Sequence, residues 1–475
     1  MANDQILPLL DFLQGELLLF ASLSFLIGAI DDMLFDGLWI FHGLRRKLLV
    51  NSRYQSAAME SRGPAVSGGR MAIFVPAWKE APVIGAMLNR CLRQWAANEY
   101  RIYVGCYPND PETVAAVAAA SVGSDKVRLV ICKRDGPTTK ADCLNHLWGA
   151  LCRDETEEQV NFAAIILHDA EDIVHPEALQ LFGHLIGKAA LVQLPVIPRR
   201  ARGSRWVAGH YCDEFAELHG KQMVLREALG TSIPSAGVGC AFARNALQKL
   251  SARTRGKPFD AESLTEDYEL GLHLTGGEGR GIFARLRDRR GQWIATQEFF
   301  PEKLEDAIRQ KSRWMVGITL SGWDRLGWQK SWRENWMRLR DRKASFAAIV
   351  LALAYIAIIL TGLLLLAEMI GSYRLRPLPR FLKILLFLNG GFLLWRLIMK
   401  AYFVFALYGL REAILSVPRT VVANLINIMA VWRALSQYVK QLAGHPAHWE
   451  KTSHFYPDAR NVKLLRPQYS TEDRS

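Results

Sequence analysis

Phe162-Ala-Ala-Ile-Ile-Leu167 runs directly into His168-Asp-Ala-Glu-Asp-Ile-Val-His-Pro-Glu-Ala-Leu179. Six apolar residues of this kind read as a buried strand. Three acids, Asp169, Glu171 and Asp172, then fall within four positions. Carboxylates repel one another and resist burial, so a positive partner is expected at the end of this strand.

The same grammar recurs upstream. Met71–Val75, Arg101–Cys106 and Val127–Cys132 are short apolar runs. The segments after them, PAWKEAPVIGAMLNRCL, YPNDPETVAAVAAA and KRDGPTTKADCLNHLWGAL, read as loop and then helix. Strand, loop and helix at this spacing predict a parallel α/β sheet. Ligands of such sheets sit at the carboxyl ends of the strands. Glu80, Asp110, Lys140 and the Asp169–Asp172 cluster all fall there. Carboxylates, a lysine, a helix N-terminus and Gly136-Pro137-Thr138-Thr139 make a candidate site for a divalent metal and a phosphate; a solvated acidic loop is the alternative.

The chain has 475 residues, too many for one ordinary core. Its net charge of +13 suits nucleic acid, an anionic membrane surface or a phosphate-bearing substrate. Seven cysteines without CxxC spacing read as reduced thiols, with neither a disulfide framework nor a metal cluster. Ala344–Ala367 is 24 residues without a charge, a helix of roughly 36 Å that can cross a bilayer. Ile384–Leu410 is apolar except for Arg396 and Lys400. Ile6–Leu44 is less clean and could be a buried helix. Arg45, Arg46 and Lys47 stop it as positive-inside flanks do, which favours a membrane helix.

The expected organisation follows. Residues 1–50 form an N-terminal membrane helix region and 51–70 a linker. Residues 71–320 form the α/β domain and 321–343 a basic juxtamembrane segment. Residues 344–410 hold two transmembrane helices, and 411–475 an interfacial helix and cytoplasmic tail. The stretch 412–440 is broken by Pro418 and carries Arg419 and Arg433, which suits a helix lying in the membrane interface. The acids Asp4, Asp11 and Glu16 place the N-terminus outside and residues 45–343 in the cytoplasm. The loop 373–383 would lie outside although it carries three arginines and a lysine, against the rule.

Two further segments matter. Thr265-Glu266-Asp267 opens a helical pattern, where acids suit the helix dipole. In IRQKSRWMVGI (308–318), Gln310 and Trp314 are four apart on one helical face, with Arg313 beside them. Alone, the first is an N-cap with acids on the helix dipole, and the second is an amphipathic helix with a snorkelling arginine. In order, PAWKEAP, NDPETV, KADCLN, HDAED, TED and QxxRW, followed by membrane helices, resemble the processive-type family 2 glycosyltransferases, whose layout cellulose, chitin and hyaluronan synthases share. The resemblance covers roughly residues 70–320.

That resemblance implies a GT-A (Rossmann-like) cytoplasmic domain with flanking transmembrane helices, at a bacterial inner membrane. It implies an inverting enzyme that uses a UDP-sugar donor and Mg²⁺ or Mn²⁺. Pro76, Ala77, Glu80, Asp110, Lys140 and Asp169 would bind the donor. Asp169 and Glu171 match the family's D-x-D, with Asp172 as a competing metal ligand. Asp267 would be the general base, next to Glu266, and Arg313 would assist the leaving diphosphate. Gln310, Trp314, Gly237 and Gly239 would face the acceptor, a growing polysaccharide or a lipid-linked species. Membrane lipids are implied as surroundings, and a homo-oligomer or an envelope export partner for a polymer; no nucleic acid is. Non-processive transfer to a lipid phosphate is the alternative activity. A catalytically silent phage receptor or scaffold is the alternative of another class, and it predicts decayed motifs.

Overall fold

The computed structural model describes residues 3–50, 69–200, 203–277 and 279–444. The expected linker, apart from its last two residues, and the expected tail beyond residue 444 lie outside the described residues.

A long helix, α1 (Asn3–Arg45), precedes the α/β domain. The domain then runs β1 (Arg70–Pro76), α2 (Ala81–Gln94), β2 (Tyr100–Cys106), α3 (Pro111–Ser121), β3 (Val127–Ile131), α4 (Lys140–Glu157), β4 (Phe162–Leu167) and α5 (Ala178–Leu185). These are the alternating elements expected from the apolar runs. Next come β5 (Leu191–Gln193), β6 (Val196–Arg199), α6 (Val207–Glu217), α7 (Met223–Ala228), β7 (Cys240–Ala243), α8 (Arg244–Arg253) and α9 (Glu266–Thr275). The domain closes with β8 (Gly281–Phe283), β9 (Thr296–Phe299), α10 (Leu304–Trp314) and α11 (Ser321–Leu326).

The main sheet has the order β3-β2-β1-β4-β7-β5-β8, and β6 pairs β9 in a small second sheet. Strands β1 to β4 are parallel, as expected. The sheet is nevertheless mixed, because β7 runs antiparallel to both β4 and β5. The segment that carries Gly237 and Gly239, SAGVGCAF (235–242), therefore enters the sheet from the cleft side instead of through a crossover helix. Two apolar layers cover the sheet. Ile73, Val75, Ile102, Val104 and Ile166 face α2, α3 and α5. Phe74, Tyr103, Ile165, Leu167 and Phe242 face α4 and α8.

Three long helices follow: α12 (Trp332–Met369), α13 (Arg380–Tyr408) and α14 (Leu410–Leu442). Together with α1 they give four helices long and apolar enough to cross a membrane among the described residues, one more than expected. The acids of α1 are matched by bases elsewhere. Lys343 Nζ lies 2.7 Å from Asp31, and Arg340 lies 3.0 Å from Asp32. Asp36 pairs with Lys221 at 2.5 Å and accepts from Trp395 Nε1 at 2.9 Å. At the other end, Tyr373 Oη donates to Asp11 at 2.8 Å and Arg376 lies 3.9 Å away. The basic loop between α12 and α13 thus faces the acidic start of α1, on the same side.

Helix α14 differs from the other three. Arg419 pairs with Asp213 of α6 at 2.8 Å, and about five helical turns later Ser312 of α10 reaches Gln437 at 3.1 Å. Tyr438 donates to Asp324 at 2.7 Å. Both ends of α14 therefore rest on the α/β domain. Its other face is an exposed apolar stripe, with Leu410, Ile414, Val417, Val421, Leu425 and Trp432.

Candidate active site

One cleft of about 1310 Å³, its open mouth included, lies over the carboxyl ends of β1 and β4. Pro76 ends β1, and Asp169 and Glu171 follow β4 at its floor. Lys140 begins α4, whose N-terminus Thr139 caps by accepting from Asp142 N at 3.2 Å. Thr265, Glu266 and Asp267 open α9, and Gln310, Arg313 and Trp314 come from α10. Residues from Pro76 to Trp314 thus converge, and a specific contact locks two of the segments together. Helix α10 continues directly into a π-helical segment (Met315–Leu320), where Gly317 lies so close to Thr265 that a Cβ would stand 3.0 Å from the threonine Cβ.

The electrostatics explain why the six carboxylates lining the cleft tolerate one another. Lys140 Nζ lies 2.6 Å from Asp169 Oδ1. Burial opposes the charge of Lys140, but Asp169, Glu266 and Asp267 outweigh it and hold the ammonium well above its usual range. Glu266 is pushed up to about 7 by burial and by the adjacent Asp267. Burial also raises Asp267, against the lowering influence of Lys140. Asp267 Oδ1 accepts from Tyr268 N at 2.8 Å, which fixes the carboxylate. At the α10 wall, Gln310 Oε1 and Arg313 Nε are buried polar atoms without a hydrogen-bond partner. Groups of that kind are normally satisfied, so a polar ligand is what this wall is built to meet.

Several expected site residues sit elsewhere. Asp172 does not face the cleft. It is fully buried, and its Oδ2 is 2.6 Å from His168 Nδ1 and accepts from Asp169 N at 3.2 Å. Burial and the charges of Asp169 and Glu171 hold its carboxyl well above the usual range, while burial pulls His168 down to about 4. A metal-ligand role for Asp172 is therefore corrected to a buried brace under the loop. Ala77 is also turned inward; it is fully buried, and its N donates to Gly105 O at 2.8 Å. Asp110 caps α3 and accepts from Lys79 N at 2.5 Å, so it clamps the β1 loop. Glu80 lines the cleft.

Gly237 and Gly239 both have positive φ, +77° and +58°. Their missing side chains leave room for protein atoms: Gly237 abuts the Asp267 carboxylate and Gly239 abuts Thr296. Their neighbours Ala236 and Val238 line the cleft instead. Trp314 is half-buried against Tyr211, Phe215 and Phe300, and the last two line the cleft with it.

Sequence reasoning missed Glu298. It sits on β9 and lines the cleft, and burial together with Asp172, Asp169 and Glu171 pushes its carboxyl well above the usual range. The signal available was an acid within the short apolar run ATQEFFP.

The donor chemistry at the floor fits a divalent ion, since Asp169 and Glu171 are hard oxygen donors facing one space. Among the described residues no group of three ligating side chains converges on one point. Mg²⁺ commonly takes one or two carboxylates and completes its shell with phosphate oxygens and water, so two acids suffice.

A family model, glycosyltransferase like family 2, matches residues 69–317. The chain is 37% identical over 479 residues to bacteriophage adsorption protein B of Escherichia coli (strain K12). It is equally similar to bacteriophage N4 adsorption protein B of Escherichia coli O157:H7. The match covers 94% of this chain and 64% of each relative, so the chain spans under two-thirds of their length. The chain's ending WEKTSHFYP (449–457) lies outside the described residues. Among solved structures, a mannosyltransferase from Pyrobaculum calidifontis in complex with GDP-Man and Mn²⁺ aligns with 84% of this chain and 98% of its own, at 14% identity and a TM-score of 0.49. The glucosyl-3-phosphoglycerate synthase of Mycobacterium tuberculosis aligns with 49% and 77%, at 18% identity and a TM-score of 0.30.

Proposed function

The chain belongs to the family 2-like glycosyltransferases, and from that premise we propose that it is an inverting enzyme of the bacterial inner membrane that moves a sugar from a UDP-sugar to a growing exopolysaccharide. The observation that carries this reading is the convergence of Lys140, Asp169, Glu171, Asp267, Gln310, Arg313 and Trp314 on one cleft. A catalytically silent receptor has no need of that set.

Asp267 takes the proton of the acceptor hydroxyl as that oxygen attacks the anomeric carbon, and a single displacement inverts the centre. Its carboxylate accepts from Tyr268 N and fits the space left by the missing side chain of Gly237, so it is aimed before substrate arrives. Lys140 and Arg313 bring positive charge to the leaving diphosphate. Asp169 and Glu171 would hold a divalent ion, which would supply Lewis-acid stabilisation to the leaving group when bound. Trp314 offers an aromatic face to the acceptor sugar, and the unpartnered Gln310 Oε1 accepts a hydrogen bond from it.

The domain rests on the cytoplasmic face, and α14 lies along it as an interfacial helix, since both its ends touch the domain. An exported glycan would also offer a bacteriophage a surface to adsorb to, the property named for the relatives. The test is UDP release from a panel of UDP-sugars by the full chain in detergent, with Mn²⁺ or Mg²⁺ against EDTA. Metal-dependent turnover with one sugar, lost in Asp267→Asn, supports the reading, and sizing the product separates a polymer from a single transfer. No turnover with any UDP-sugar, in folded protein given membrane extract, overturns it.

A further inference from the structure

Beyond β8 the chain forms a tight hairpin, residues 285–293. Arg287 pairs with Trp293 across it, and Asp288 N donates to Gln292 O at 2.9 Å. Side chains alternate along such strands, and here the alternation separates two chemistries. Leu286 and Asp288 turn inward: Leu286 packs on the main core, and Asp288 lies 3.5 Å from His175 Nε2. Arg285 and Arg287 fall on the opposite face, with their guanidinium carbons 4.8 and 4.5 Å from the centre of the Trp293 ring. The hairpin thus presents two arginines flanking one indole.

Its surroundings are basic as well. The charged neighbours acting on Arg285 are Arg287 and Arg46, both cations, and the Tyr402 hydroxyl is the group that favours its charge. Among the described residues no carboxylate pairs with Arg285, which is exposed. Arg46 and Arg280 lie within electrostatic reach of one acid, Glu227. Arg285 thus has cations for charged neighbours, and Arg46 and Arg280 share one acid; a bound anion would relieve the repulsion at Arg285.

The position indicates which anion. Strand β8 packs on α7, and α7 on α1. Arg46 follows the last turn of α1 between the exposed apolar Leu44 and Leu48. Tyr402 lies in the last third of α13. This is the border where apolar helix surface gives way to the α/β domain. Tryptophan and arginine are the side chains suited to a headgroup region, one for its amphipathic ring and the other for its two-pronged grip on phosphate.

We propose that the hairpin at residues 285–293, with Arg46 and Arg280, binds the phosphate of an anionic phospholipid in the cytoplasmic leaflet. The site is separate from the sugar-transfer cleft, and it rests on the cytoplasmic placement of the domain but not on the identity of donor or acceptor. It also reaches the cleft mechanically. Asp288 braces His175, which ends the loop carrying Asp169 and Glu171, so a hairpin anchored to lipid steadies that loop.

The test is native mass spectrometry of the delipidated full chain, titrated with phosphatidylglycerol or phosphatidylcholine. Each arginine near an anionic surface contributes roughly five-fold in affinity, so Arg46→Gln/Arg285→Gln should bind phosphatidylglycerol about 25-fold more weakly. Phosphatidylcholine binding should be unchanged, and Arg153→Gln/Arg253→Gln, an equal loss of charge far from the border, should behave as wild type. If the double variant melts early, Arg285→Lys keeps the charge but loses the fork and the stack, and a several-fold loss is expected. Wild-type affinity for phosphatidylglycerol in these variants overturns the proposal. Displacement of the lipid by millimolar inorganic phosphate also overturns it, in favour of a soluble phosphate ligand.

Discussion

Replacing Gly237 with alanine tests whether Asp267 is the aimed base. Gly237 has φ +77°, where an L-residue costs roughly 1–2 kcal/mol. Its new methyl would stand 3.1 Å from Asp267 Cγ and 3.4 Å from Cβ, and it would overlap the carboxylate oxygen Oδ2. Non-bonded carbons settle at about 3.5 Å or more, so the carboxylate has to withdraw. It cannot simply rotate, because Oδ1 is held by Tyr268 N. Helix α9 cannot slide away, because Gly271 is packed against the backbone of Pro234 and Ser235. A displacement of roughly 1 Å at a reacting group costs on the order of 100-fold in rate. Gly239→Ala is the internal control. It has the same left-handed strain at φ +58°, but its methyl would meet Thr296 rather than the base. Thermal melting should show similar destabilisation of the two variants. Nucleotide release at saturating donor should fall about 100-fold in Gly237→Ala alone. Equal turnover losses in the two variants, or a Gly237→Ala enzyme within about three-fold of wild type, would refute the reasoning.

Asp267→Asn should lower turnover by about 10²–10⁴-fold while nucleotide binding persists, since only proton abstraction is removed. Burial raises the Asp267 carboxyl and Lys140 lowers it, so the rate should climb with pH as the Asp267–Glu266 pair, with Glu266 at about 7, loses its protons. Lys140→Met removes the lowering influence and should move that acid limb to higher pH; a limb that stays put contradicts the assignment. Asp169→Asn and Glu171→Gln should each weaken Mn²⁺ binding at least about ten-fold by calorimetry. Asp172→Ala should leave Mn²⁺ affinity near wild type yet cost about 1–3 kcal/mol of stability, because it strips His168 of its buried partner. Cysteine placed at Ala443 should be labelled only from the cytoplasmic side and cysteine at Ser372 only from outside; external labelling at 443 would make α14 a span.

What was legible in the sequence is local. Strands β1 to β4 announce themselves because each is a continuous apolar run followed by loop and helix, and burial on both faces demands that composition. The cleft residues were legible for a related reason: acids and a lysine placed at strand ends and helix starts have few structural uses. Asp172 shows where that logic stops. It stands one residue from Glu171, and composition treats the two alike. What separates them is a turn in which Asp172 N bonds Asp169 O at 3.2 Å, aiming one side chain at His168 and leaving the other in the cleft. Glu298 was hidden differently, since β9 pairs with β6 about a hundred residues upstream and no local pattern encodes such a partner.

Helix α14 presents the same lesson at the scale of the membrane. By length and apolarity it is a fourth span, and the interfacial reading rested on Pro418, Arg419 and Arg433. Pro418 does not break the helix, which continues from Leu410 to Leu442. The structural support for the proposed interfacial placement is Arg419. Its side chain is 1% exposed and paired with Asp213, also 1% exposed. A buried pair of that kind tolerates no separation, because removing either partner leaves an uncompensated charge worth about 3–5 kcal/mol. The helix is therefore tied to α6 at this point and, through Tyr438 and Gln437, to Asp324 and Ser312 near its other end. A rod held at two points about 28 Å apart along one face of a domain lies parallel to that face. On the cytoplasmic placement proposed above, the apolar stripe it leaves exposed would face the bilayer, and α10, which carries Gln310, Arg313 and Trp314, packs on the same helix.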